Sequence, residues 1–97
     1  METRAPTRVQ LSRKKGWRMP ENTVKVDRTS RWGNPFRATG HTPQQVVDHY
    51  RHWLEVNPSG RWVTQLARTE LRGLNLACWC KPGAPCHADV LLEIANA

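Results

Sequence analysis

Arg8-Val9-Gln10-Leu11-Ser12 alternates polar and apolar residues, the period of a half-buried strand. Val24-Lys25-Val26 alternates again and predicts a second short strand. Between them, Arg13-Lys14-Lys15-Gly16 reads as a basic loop, and Trp17 to Asn22, which contains Pro20, as irregular chain. From Thr42 the period changes. Val46, Val47, Tyr50, Trp53 and Leu54 fall on one face of a 3.6-residue repeat. Thr42 is placed to cap a helix, Pro43 suits its first position, and Gln45 follows the cap by three residues. A helix is therefore predicted over residues 43–56, stopped by Asn57-Pro58-Ser59-Gly60. A second is predicted from about Arg61 to Leu71, with Trp62, Val63 and Leu66 on one side and Gly73 after its end. Leu74 to Cys80 reads as a buried strand, Lys81 to Pro85 as a turn, and residues 87–95 as a last helix facing Val90, Leu91 and Ile94 to the core. The pattern predicts a single small α/β domain. A sheet of two to three strands packs with about three helices, and the first seven residues are expected to be flexible.

Composition narrows the function classes. No apolar run approaches the roughly 18 residues needed to span a bilayer, and Met1 to Gln10 lacks the apolar stretch of a signal peptide. A cytoplasmic protein with no membrane partner is expected. The net charge of +7 is lopsided. Ten Lys and Arg stand against Glu2, Glu21 and Asp27 up to Gly40, whereas from His41 onward five basic residues meet five acids. Such asymmetry favours a polyanionic or phosphate-bearing partner, and is otherwise a solvated basic surface.

All three cysteines lie within nine residues, in Cys78-Trp79-Cys80 and Cys86-His87. An odd number, so clustered, does not form a disulfide framework. On a strand Leu76, Cys78 and Cys80 would share one face, and Ala77 and Trp79 the other. Cys80 would end that strand and Cys86 would start the next helix, where backbone N–H groups and the helix dipole favour an anion or a thiolate. On that placement the Cys86 pKa should be lowered. Three readings stand side by side. Cys78, Cys80, Cys86 and His87 carry zinc-type donors, although Cys-x-Cys leaves one residue where structural zinc sites favour two to four. Alternatively Cys80 or Cys86 is a nucleophile, with His87 and Asp89 moving protons. Or the cysteines are small core residues, which suits Cys78 better than Cys86 and His87 at a helix start.

A second dense stretch runs from Arg28 to Phe36. Pro35 extends Asn34, and Gly33 permits a positive φ just before it. Arg28, Arg31 and Arg37 lie close in sequence, and arginine forks suit phosphate. Trp32 could stack on a base, yet Trp32 and Phe36 read more simply as plugs of a small core. Trp53, Trp62 and Trp79 are expected in the core, and His41, His49 and His52 on the surface. Arg13-Lys14-Lys15 is expected to be a solvated loop.

Arg31-Trp32-Gly33-Asn34-Pro35-Phe36, and Cys78-Trp79-Cys80-Lys81-Pro82 with Cys86-His87-Ala88-Asp89-Val90-Leu91, resemble a family of roughly hundred-residue proteins of unknown function from bacteria and phages. The resemblance runs from Val9 to Asn96. The cysteine–histidine stretch is also locally similar to one in another uncharacterised bacterial family. The phage association implies, by analogy, nucleotide or nucleic-acid metabolism. The leading expectation is thus a basic domain binding a nucleotide or nucleic acid. Arg28 and Arg31 hold phosphate, Trp32 and Asn34 contact the ligand, and Cys80, Cys86, His87 and Asp89 supply any chemistry. The alternative is a zinc-stabilised, non-catalytic module for nucleic acid or a host protein, on Cys78, Cys80, Cys86 and His87. A phage-type inhibitor that only binds a host protein is a third expectation.

Overall fold

The computed structural model describes residues 6–36 and 40–97. Arg37 and residues 1–5 of the expected flexible start therefore lie outside the described residues. Thr7, also in that expected start, is tied in, donating its backbone N–H to Asn75 Oδ1 and accepting from the Leu76 N–H.

The alternating segments form β1 (Arg8–Gln10) and β2 (Thr23–Lys25). The buried run forms β3 (Asn75–Cys78). All pairing is parallel, in the order β1-β3-β2. As the central strand of a parallel sheet, β3 is apolar at consecutive positions, and Leu76, Ala77 and Cys78 are all buried. It ends two residues earlier than the pattern predicts, so Trp79 and Cys80 lie in the turn beyond it. Side-chain alternation along a strand therefore no longer fixes where Cys80 points.

Helix α1 (Pro43–Val56) starts with the expected capping box, in which Thr42 and Gln45 exchange side-chain bonds to each other's backbone N–H. Its buried face is Val46, Val47, Tyr50 and Leu54. Helix α2 (Pro58–Glu70) begins three residues before the predicted start. Asn57 closes α1 and caps α2 at once, its side chain accepting from the Ser59 N–H, and Pro58 fills the first helical position. The run that reads as a helix stop is thus a corner between two abutting helices. Gly60 makes the corner possible, because a Cβ there would sit 2.1 Å from the Trp53 carbonyl oxygen.

Helix α3 (His87–Ala95) packs on β3 and β1, and α1 and α2 pack on α3 and on each other. The shared core includes Val26, Tyr50, Leu54, Leu71, Leu76, Val90 and Leu91. Each fully buried leucine contributes about 2 kcal/mol of transfer free energy. Two tryptophans expected in the core are outside it: Trp62 is 59% exposed and Trp79 42%. Trp62 lies on the outer side of α2, and Trp79 lies just past the end of β3. Trp53 packs partly buried against the core, and His41, His49 and His52 are exposed, as expected. No helix among the described residues is long and apolar enough to cross a membrane.

Candidate functional site

Parallel strands place their carboxyl ends on one side of the sheet, and ligands of open α/β sheets bind there. In this chain that side carries the chain just after β2, the residues that follow β3, and the first turns of α1 and α3. Together they enclose a cavity of about 350 Å³. Asp27, Arg28, Thr29 and Asn34 line it from the β2 side, Val46 and Val47 from α1, and Cys78 to Cys80 and Pro85 to His87 from the β3–α3 turn.

The turn delivers three thiols to one point. The sulfurs of Cys78, Cys80 and Cys86 all lie within 4.8 Å of one another. Cys78 Sγ and Cys86 Sγ are 3.1 Å apart, and all three cysteines are free. Hydrogen bonding between Cys78 and Cys86 holds Cys78 below the ordinary thiol range and, with burial, pushes Cys86 up to about 11. Burial, and then the nearby Cys86, pushes Cys80 up to about 11. The expected lowering at Cys86 is therefore reversed. Cys86 is 2% exposed and hydrogen-bonds a neighbouring sulfur, and that bond together with desolvation outweighs the helix N-terminus. Raised, buried thiols are poor nucleophiles at neutral pH, whereas a cation could draw all three sulfurs together. The cluster could hold a metal ion.

His87 sits next to the cluster with its orientation locked. Its Nε2 bonds the Val26 carbonyl oxygen, and its ring meets Tyr50 edge-on at 5.6 Å. With Nε2 on the Val26 carbonyl, Nδ1 faces Cys86 Sγ at 3.9 Å. His87 does not join the three-sulfur group itself. Asp89, grouped with it in the sequence, turns away, its carboxylate 2.9 Å from the Arg8 guanidinium.

The Arg28–Phe36 segment divides. Arg28 lines the cavity, and its Nη1 donates to the Asn34 carbonyl at 2.7 Å. Asn34 also lines it, but its side chain is engaged at both ends, donating to the Val46 carbonyl and accepting from the Phe36 N–H. Trp32 is buried in the core, and its carbonyl accepts from the Tyr50 hydroxyl. Arg31 is not among the lining residues. Its guanidinium pairs with Glu70 at 3.3 Å and lies over the Trp32 ring. Phe36 is half-buried, edge-on to His49. Gly33 does not use the positive φ that glycine permits. Glycine is needed there because a Cβ would lie 2.7 Å from Arg28 Cα.

Two residues missed in the sequence matter here. Arg8 donates to the Lys81 and Ala84 carbonyls as well as to Asp89, clamping the turn between Cys80 and Cys86. No signal marks it, since its partners are more than seventy residues away. Asp27 is a buried carboxylate on the cavity lining. Burial alone would raise its pKa, but bonds from Thr29 and the Trp79 indole, with Lys25 nearby, hold it below the ordinary value. Its isolation in a basic half of the chain was the one available clue.

Comparison with known proteins places the chain in a family. The sequence profile of a domain of unknown function, DUF4326, matches residues 9–97. The chain belongs to that family. The "Uncharacterized 12.4 kDa protein in nrdA-td intergenic region" of Enterobacteria phage T4 is 30% identical over 74 residues, covering 75% of this chain and 67% of the phage protein. No solved structure matches the chain.

Proposed function

We propose that this DUF4326 domain is a binding module built around a thiolate-held metal ion, zinc by the chemistry of its donors. The observation that carries the reading is the cluster of three cysteine sulfurs within 4.8 Å on the wall of a cavity. Zinc binds thiolate at about 2.3 Å in tetrahedral array, which sets sulfurs roughly 3.8 Å apart. Small side-chain rotations bring the cluster to that spacing. Soft sulfur donors select zinc, copper(I) or iron–sulfur centres over magnesium or calcium. An ion also gives the three sulfurs a joint role, where the raised Cys80 and Cys86 thiols are poor single nucleophiles. Elemental analysis of protein purified without chelator tests this. About one zinc per chain is expected, falling to none in Cys80→Ser. Metal-free protein whose three thiols all titrate, and which takes up no added zinc, overturns the reading.

A second reading concerns what the module binds. Arg28 lines the same cavity, and the first 40 residues carry all of the excess positive charge. Both support a phosphate-bearing ligand, a nucleotide or the end of a nucleic acid, held at Arg28 rather than Arg31. Titration with ATP should show Arg28→Ala weakening binding by roughly tenfold, the scale of a lost charge-assisted hydrogen bond. Arg31→Ala should change it little. Equal affinity in wild type and Arg28→Ala removes this reading and leaves the metal site standing.

A further inference from the structure

We infer that the ion's fourth coordination position opens into the cavity, so that the ligand of the domain binds the metal directly, through a neutral heterocyclic ring nitrogen. This deepens the metal reading above and rests on it. All three sulfurs belong to residues lining the cavity, so an ion held by them lies on its wall. Among the described residues, no fourth cysteine, histidine or carboxylate joins the group. The nearby candidates are held by other partners. Asp27 accepts from the Thr29 amide and hydroxyl and from the Trp79 indole, and pairs with Lys25. Asp89 is held by Arg8. His87 comes nearest, with Nδ1 3.9 Å from one sulfur. Its Nδ1 does not lie within 4.8 Å of all three sulfurs, so closing the site with it needs the ring to move against its Val26 bond and its packing on Tyr50. Zinc sites with three protein ligands are the ones that keep a position for water or substrate, whereas structural sites close with a fourth residue.

Charge selects the donor. Three thiolates on a divalent cation leave a net negative charge in partly buried surroundings. A carboxylate or phosphate on the same ion would add to it, at a cost that burial magnifies. A neutral nitrogen, as in imidazole or a purine, adds none. The cavity's volume, about 350 Å³, falls in the range of small-molecule sites. Arg28 on the same lining can take an anionic group of such a ligand while its ring meets the ion.

Cobalt(II) in place of zinc reports this. The loaded protein should show the thiolate-to-cobalt charge-transfer absorption. Added imidazole should then shift the visible d–d bands in a saturable way. In His87→Gln, cobalt affinity should stay within about tenfold of wild type and the imidazole response should persist. A charge-transfer band that ignores imidazole, or a loss of far more than tenfold in His87→Gln, means that the site is closed and overturns the inference while sparing the metal reading. No charge-transfer band at all removes both.

Discussion

The segments 28–36 and 78–87 are alike as sequence. Each is short, carries a tryptophan and a proline, and combines polar or ionisable groups with a tight turn. In the structure they differ in where those groups find partners. Along 28–36, nearly every polar group finds a partner inside the protein. Ser30 bonds the Asp27 carbonyl, Asn34 bridges Val46 and Phe36, Arg31 meets Glu70, and Trp32 is buried. Along 78–87, three sulfurs face one another and a cavity, with the turn fixed from outside by Arg8. Motif density alone does not separate a brace from a binding site. The destination of each polar group does, because buried groups satisfied within the fold have nothing left to offer a ligand.

Mutations that remove braces should therefore cost stability, and those at the cluster should cost ligand. The largest effect is expected from Trp32→Ala, which empties the core beneath the first segment and should destabilise by about 3–5 kcal/mol in denaturant unfolding. A cost below about 1 kcal/mol would show that Trp32 is not a plug. Asn34→Ala leaves the Val46 carbonyl and the Phe36 amide without their partner, and a loss of about 2 kcal/mol is expected. Arg8→Ala frees the turn. Its bonds to two carbonyls predict a loss of about 1–2 kcal/mol, and hydrogen exchange should quicken across Lys81 to Cys86. Unchanged exchange there would refute the clamp. Arg31→Ala breaks an exposed ion pair and should cost less than about 1 kcal/mol. At the cluster, metal-free Cys80→Ser should unfold within about 0.5 kcal/mol of wild type, yet bind no zinc.

Acid sharpens the contrast. Asp27 has a folded pKa below its ordinary value, so it stabilises the fold above about pH 4, and that contribution is lost as pH falls through the folded pKa. Asp27→Asn should flatten the acid limb of the stability curve. An unchanged limb would mean that the Thr29 and Trp79 bonds do not favour the charged form.

Much of the fold was legible because it rests on local rules. The capping box at Thr42 and the 3.6-residue face of α1 predict that helix to the residue, and the apolar run predicts β3 to within two residues at either end. Asn57-Pro58 misled because a cap and a stop use the same residues, and only packing at Gly60 shows that a second helix begins at once. Strand order left no local trace, since β3 enters between β1 and β2 only through long-range pairing. At the site, the clustering of the three cysteines was visible, but the ordering of their pKa values was not. Cys86 stands at a helix start, where its thiol was expected to be acidified, yet burial and the Cys78 sulfur decide otherwise. Arg31 and Arg28 were indistinguishable in sequence and separated only when Glu70 on α2 came alongside one of them.

X-ray absorption at the zinc edge, on protein purified without chelator, tests the centre of the account most directly. Three sulfur neighbours at about 2.3 Å and one lighter neighbour are predicted. A shell with two or fewer sulfurs, or no bound zinc, would contradict a site made by Cys78, Cys80 and Cys86 together.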